Sequence, residues 1–332
     1  MKFSKLLLMA PIIVLATGCG GGGLFNGSFF NHGGGGGGGG TGFGNPAIYT
    51  ANLSADSITV YSLSAGGNAA PIRSLSACIC HLAKPSQMFV DSSGDLFVAN
   101  QGLTGAPPNF EEFAPGANGN AAPTRLVNSG LVSPQALTVD SSGNVYVGDP
   151  GQHAIFVYAP GQSTPSRTIG GPSGPASLVQ TPEALAIAPN GDLYVADYGA
   201  KAVLVFAPGA NNPVAPTAEI TGLTAGPSGV ALDSAGNIFV TTHDTGAILE
   251  FSANSSGPAT PIKNISGPTT GLDQTMGIGL DASDNMYVGH GTSSGAGYAV
   301  FIFSAAQNGD VAPTTTISGG NTQLNAPFYV TI

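Results

Sequence analysis

The sequence predicts an all-β chain, a six-bladed β-propeller of four-stranded blades whose ring closes when a C-terminal strand joins three N-terminal ones. Three observations predict it. A unit recurs five times in full at a spacing of 45 to 52 residues, short runs of Val, Ile, Tyr and Phe are punctuated by 51 Gly and 25 Pro, and the two parts of a sixth unit stand at opposite ends of the chain. The Leu/Ala/Glu/Lys blocks of amphipathic helices are missing.

Each unit opens with a proline, or with Thr275, and an apolar first strand: residues 85–91, 134–140, 182–188, 227–233 and 275–281. A tight turn follows, Asp-x-x-Gly at Asp91, Asp140 and Asp233, with Ala188-Pro189-Asn190-Gly191 and Asp281-Ala282-Ser283-Asp284 as variants. The fourth position needs a positive φ, which Gly supplies without cost and Asp284 can adopt. The second strands are Leu96-Phe97-Val98, Val145-Tyr146-Val147, Leu193-Tyr194-Val195, Ile238-Phe239-Val240 and Met286-Tyr287-Val288. Third strands end on Phe113, Tyr158, Phe206, Phe251 and Phe303, and fourth strands begin after prolines 123, 165, 216, 261 and 313.

The remainder decides the topology. Residues 47–52, 58–61 and 71–75 match second, third and fourth strands with no first strand before them, and residues 327–332 match a first strand that stops where its turn would begin. Joining the two closes a ring and removes the open edge of a linear array. The blades are then residues 47–76 plus 325–332, 84–130, 133–179, 181–226, 227–272 and 274–324.

Residues 1–18 read as an export signal: Lys2 and Lys5, an apolar run too short for a membrane span, then Gly18 before Cys19. Leu15-Ala16-Thr17-Gly18-Cys19 resembles the bacterial lipobox, with Ala16 where Leu is usual; lipidation of Cys19 is expected, and cleavage at an ordinary Ala-x-Gly site is the alternative. Residues 19–46, with the unbroken run Gly33 to Gly40, are too poor in apolar side chains to fold and read as a tether. Export to the cell envelope, anchored by lipid to a membrane and most simply the outer one, follows as the expected address.

The chain carries 8 Lys+Arg against 18 Asp+Glu, a net charge of −10. Nucleic acid is therefore not an expected partner, since phosphate binding needs a clustered cationic surface. A monomer is expected. Arg73, Arg125, Arg167 and Lys263 share one place in the fourth strands, where exposed cations would obstruct edge-to-edge pairing.

The whole pattern, Pro-x-x-apolar-x-apolar-Asp-x-x-Gly-Asn-apolar-Tyr-Val-Ala-Asp followed by Ile-x-Val-Phe, resembles the NHL-repeat family of propellers over residues 47–332. The version with Phe-Ala-Pro-Gly-Ala after the third strand is similar to exported bacterial lipoproteins. The resemblance implies the fold; for function it admits lactonases, lyases and binding scaffolds alike.

The residues directly after each second strand are Asn52, Asn100, Asp149, Asp197, Thr242 and His290, at equivalent positions near one mouth of the central channel; Gln87 and Glu183 join them from the first strands. One reading has these side chains bond the backbone of the loop that follows. The other makes them a ligand cup. A lactonase of this general architecture would need a divalent cation, for which Glu183, Asn100, Asp149 and Asp197 could supply oxygens. His290 could act as a general base or sit as a satisfied loop residue. Cys78-Ile79-Cys80-His81 falls one residue short of a haem attachment motif; a Cys78–Cys80 disulfide, a metal site with His81 and free thiols are its three readings.

Together these features favour a membrane-tethered binding or scaffold module, its protein or small-molecule ligand unspecified. The rivals are a metal-dependent lactonase, esterase or lyase at the channel mouth, and a cell-surface structural or adhesion component.

Overall fold

The computed structural model of the chain describes residues 46–76, 82–171, 179–291 and 297–332. The segments expected to be an export signal and a tether, up to residue 45 and including Cys19, and Cys78, Cys80 and His81 lie outside the described residues.

Among the described residues, twenty-four strands form six antiparallel four-stranded sheets. From the inside outward, blade 1 is Pro327–Thr331, Ala47–Asn52, Ser57–Ser62 and Arg73–Ser76. Blade 2 is Pro85–Val90, Leu96–Asn100, Asn109–Phe113 and Arg125–Val127; blade 3 is Ala136–Val139, Val145–Asp149, Ala154–Tyr158 and Arg167–Gly170. Blade 4 is Pro182–Ile187, Leu193–Asp197, Ala202–Phe206 and Ala218–Ile220; blade 5 is Pro227–Leu232, Ile238–Thr242, Ala247–Phe251 and Lys263–Ile265. Blade 6 is Thr275–Leu280, Met286–His290, Ala299–Phe303 and Thr315–Ser318. Each innermost strand packs against the innermost strands of both neighbouring blades, so the ring is closed.

Closure is the one the sequence expects. The C-terminal strand runs antiparallel to Ala47–Asn52, pairing Tyr49 with Thr331, Thr50 with Val330 and Ala51 with Tyr329. The Asp-x-x-Gly turns also form as read: Asp91 Oδ1 accepts from the backbone N–H of Ser93 and Asp95 at 2.8 and 2.9 Å, and Asp140, Asp233 and Asp281 repeat the arrangement. Asp284 takes the positive φ, +58°, that Gly94 holds at +85° in its own turn.

The core lies between blades. Tyr61, Phe113, Tyr158, Phe206, Phe251 and Phe303, ending the third strands, are all buried to within 1%, and each removes a large apolar ring from water.

The outer edges are protected by a different device from the one expected. The four fourth-strand cations do not project outward; they fold back over aromatic rings of their own blades, with Arg73 over Tyr49, Arg125 over Phe110, Arg167 over Tyr146 and Lys263 over Phe239 at 5.1 to 5.6 Å. Arg125, Arg167 and Lys263 then donate to loop carbonyls of the next blade, as in Arg167 to Ala210 at 3.0 Å and Lys263 to Ala305 at 2.8 Å. The charged heads gain cation–π attraction from the rings beneath them, and the carbonyl bonds of Arg125, Arg167 and Lys263 staple their blades to the next.

The edge itself is covered by the loop after the neighbour's third strand, the segment that carries the Phe-Ala-Pro-Gly-Ala pattern. Asn118 of blade 2 accepts from Ser74 N–H of blade 1 at 3.0 Å, and Gly119 exchanges bonds with Ser74 and Ser76. Asn211 does the same for Thr168, and Asn308 for Asn264. Asn118→Ala should therefore lower stability by about 0.5–1.5 kcal/mol and speed hydrogen exchange at Ser74 specifically. An unchanged exchange rate at that amide would show that the loop does not lock the edge.

Candidate functional site

The proline that opens most first strands sets the geometry of the channel mouth. Immediately after it the pairing register slips, between Pro85 and Met88, Pro182 and Ala184, Pro227 and Gly229, and Thr275 and Ile278, with a matching irregularity opposite Pro327. A bulge of this kind re-aims the side chain it contains. The residues just after the opening position are Ser86, Gln135, Glu183, Ser228, Met276 and Phe328, and five of these six line one mouth of the channel.

One residue further on, the register reads Gln87, Ala136, Ala184, Gly229, Gly277 and Tyr329. Two large side chains and four small ones fill the axis. The Tyr329 ring lies where a Cβ on Gly277 would have to be, and its hydroxyl accepts from Gln87 Nε2 at 2.9 Å. Gln87 also donates to Leu185 O at 2.7 Å and accepts from Leu137 and Leu185 N–H at 2.9 Å each. One amide thus ties blade 2 to blades 1, 3 and 4. Complete burial pushes the Tyr329 hydroxyl well above the usual phenol range. Gln87, expected at the mouth, is instead buried at the axis and lines, with Tyr329, the cavity at the opposite end.

The six polar residues expected after the second strands are their last residues and are likewise not open to the mouth. All are buried to within 1%, and each reaches toward the loop by which the chain enters its own blade or toward its own hairpin. Asp149 accepts from Val132 and Ser133 N–H at 2.7 and 3.0 Å; Asp197 accepts from Gln180 and Thr181 N–H at 2.6 and 2.8 Å, and from Ala200 at 3.0 Å. Asn52 accepts from Asn325 N–H at 3.0 Å and Asn100 from Ala83 N–H at 3.3 Å. The Thr242 hydroxyl meets that of Thr245 at 2.9 Å, while its carbonyl accepts from Thr275 Oγ1. His290 pairs with Asp273 at 3.1 Å and packs on Phe301; burial lowers its pKa, with Asp273 opposing. Where one reading expects these side chains to bond the loop that follows, their backbone partners lie mainly in the loop that precedes the first strand, and among the described residues Asp197 alone also accepts from the backbone of the following loop.

These side chains do not converge on a cation. Asn100 turns its amide toward Asn109 at 2.9 Å and toward the buried Glu111 at 3.4 Å, whose pKa burial pushes up to about 7. Among the described residues no three His, Cys, Asp or Glu stand close enough to share a metal ion.

The mouth belongs to the neighbours of those positions. Strand side chains alternate faces, so the residue after Asn52 is Leu53, after Asn100 Gln101, after Asp197 Tyr198 and after Thr242 His243, and all four line the cavity with Gln135, Glu183, Ser228, Met276 and Phe328. The cavity holds about 260 Å³. The signal for this outer circle was present in the period-2 pattern, displaced by one residue.

Glu183 is the one expected residue that does reach the cavity. With the Gln135 amide nitrogen turned toward it, Gln135 donates to both carboxylate oxygens, at 2.5 and 3.3 Å. Burial, reinforced by the nearby Asp197 charge, raises the Glu183 pKa to about 7. Tyr198 forms a fixed wall: a Cβ on Gly226 would overlap its ring, so Gly is required beneath it. Its hydroxyl donates to both Asp244 oxygens at 3.1 Å, and His243 meets it edge-on with ring centres 6.3 Å apart. His243 Nδ1 also meets Asp244 at 3.2 Å, a partnership that sequence spacing did not reveal. The Tyr198 hydroxyl is raised chiefly by its bond to Asp244, and Asp244 is lowered chiefly by its bond from His243.

Glu111 and Glu183 set a direction for the pH dependence of stability. Between the ordinary carboxylate value, near 4.5, and about 7 the folded chain keeps protons that the unfolded chain has lost. Their contribution is therefore fullest below pH 4.5 and declines as pH rises through 7. The double variant Glu111→Gln/Glu183→Gln should show a flatter melting temperature from pH 5 to 8 than wild type, with the gap opening at the alkaline end. Parallel curves would contradict these shifted values.

No protein-family model matches the chain, and no curated protein matches it by sequence. Among solved structures it is similar to a protein of unknown function from Bacteroides caccae, at 9% identity and a TM-score of 0.62, over 86% of this chain and 97% of that one. It is also similar to a chain of a nidogen/laminin complex, at 13% identity and a TM-score of 0.60, with the same shares covered. Likeness at these identities is one of fold, and the fold that the chain shares with these structures is the β-propeller.

Proposed function

We propose that the chain is an extracytoplasmic binding module, held at a membrane by a lipidated Cys19 and the tether of residues 19–46, that takes its ligand at the mouth lined by Glu183. The NHL-like repeat pattern is consistent with such a role. One observation carries the reading: the register that ends the third strands repeats one chemistry, a buried aromatic, from blade to blade, whereas the mouth is lined from one register by Gln135, Glu183, Ser228, Met276 and Phe328, with Ser86 at the equivalent place outside the lining. The ring as such needs no such asymmetry, but a cup that holds one ligand in one orientation does. The enzyme reading loses support because Asn100, Asp149 and Asp197 are committed to loops or neighbouring side chains.

The test is a thermal-shift panel of cationic, anionic and neutral small molecules on wild type and on Gln101→Trp, which fills the mouth from its rim. A compound that stabilises wild type and not the variant supports the reading; a panel with no such compound overturns it. Detergent-phase partitioning of wild type against Cys19→Ser tests the anchor, with loss from the detergent phase expected for the variant.

A further inference from the structure

Resting on that mouth as the ligand site, we infer that its ligand presents a primary alkylammonium group, seated on Glu183 and against the Tyr198 ring. The charge and the lining of the cavity lead there. The charged groups that face or underlie the cavity are mainly carboxylates, Glu183 within it, Asp197 beneath and Asp244 behind Tyr198, the last offset by Lys201, and His243 is the one basic side chain among its lining residues. An anionic ligand would meet Glu183 and be repelled by Asp197 beneath it. Glu183 is an acceptor whose charge burial makes costly, and a bound cation returns the Coulomb energy that water no longer supplies.

The remaining lining matches the rest of such a ligand. Ser228 and Gln101 add oxygens that can accept from an ammonium, which has three N–H donors and no acceptor. Tyr198 is held rigid by Gly226 and Asp244, as an aromatic face for a cation needs to be. Leu53, Met276 and Phe328 are apolar walls for an alkyl stem. A volume of about 260 Å³ lies just below the usual range of small-molecule pockets and suits a headgroup with a short chain.

Other places in the molecule carry less. The larger cavity at the opposite mouth, about 610 Å³, is lined mostly by small and aliphatic residues such as Ala186, Ala231 and Gly279. Arg167 at its rim is already bonded to Tyr146 and Ala210. Buried His290 and Glu111 are engaged within their own blades.

The experiment titrates the full chain, purified in detergent, with n-butylammonium, n-butanol and butyrate, by calorimetry and by NMR. n-Butylammonium should bind at least tenfold more tightly than n-butanol, and butyrate should not bind. Glu183→Gln should weaken n-butylammonium at least tenfold while n-butanol is unaffected, and affinity in wild type should rise as pH increases through 7. Tyr198→Ala, a change at the cavity rim, should weaken the cation more than the alcohol, and circular dichroism of both variants should match wild type. Equal binding of amine and alcohol, or equal binding of the amine to wild type and Glu183→Gln, overturns the ammonium assignment. In that case a neutral or anionic compound from the thermal-shift panel that still requires an open mouth leaves the binding role standing, so the two readings fail separately.

Discussion

Ending the chain at Ala326 should abolish cooperative folding. The six residues removed contain the innermost strand of blade 1, which pairs with Ala47–Asn52 and packs against the innermost strands of blades 2 and 6. Their loss exposes one flank of Ala47–Asn52 as an unpaired edge and opens the ring between its first and last blades. Tyr329 and Val330 are both buried, 3% and 0% exposed. Burial of side chains of this size contributes roughly 1.5–3 kcal/mol each, before the ladder bonds and the axial packing are counted. A domain whose net stability is about 5–15 kcal/mol cannot absorb all of this. The truncated chain should show no sigmoidal urea transition and should aggregate through its open edges. A truncated chain that unfolds cooperatively at the wild-type midpoint would falsify closure by the C-terminal strand as the basis of stability.

Tyr329→Ala should cost about 3–5 kcal/mol, the range for emptying a large buried aromatic site. The cost should sit at the upper end because the cavity cannot collapse easily: the ring rests over Gly277, which lies in the bulge between the paired Thr275 and Ile278, and Gln87 opposite is bonded to three other groups. Tyr329→Phe removes only the hydroxyl that accepts from Gln87, and about 1 kcal/mol is expected. Gly277→Ala attacks the same contact from the other side and should rival the cavity variant, since the added methyl would occupy the volume of the ring. Chemical denaturation of the four proteins ranks them, and Tyr329→Ala within 1 kcal/mol of wild type would mean that the axis is not packed as described.

Much of this molecule was legible without coordinates because its signals are periodic. Strand positions, the Asx-stabilised turns, the positive φ at Asp284, the buried aromatic ending each third strand and the ring closure all follow from hydrophobic alternation and turn chemistry repeated along the chain. The Asn of the Phe-Ala-Pro-Gly-Ala-Asn loop shows the limit of that legibility. It directly follows a segment that is legible in the sequence, but its work, accepting a hydrogen bond from the previous blade's outer strand, is not local to the repeat that contains it.

The same limit governed the site. Asn52, Asn100, Asp149 and Asp197 are conspicuous as a polar register, and polarity alone could not tell a side chain facing a mouth from one buried against a loop. Their less conspicuous neighbours Gln101, Tyr198 and His243 line the cavity because bulges and alternation turn them there. Gln87 and Tyr329 lie 242 residues apart, and nothing in either local pattern relates them.

By itself the sequence determined what repeats: strand, turn, blade count and the joining of the two ends, all of which depend on interactions within a blade or at an equivalent place in each. Tertiary structure decided what does not repeat, namely which residues plug the axis, which cations staple blades and which carboxylate faces the cavity. Those are contacts between blades around one centre. They depend on where six different side chains meet in space, a relation that periodicity along the chain does not contain.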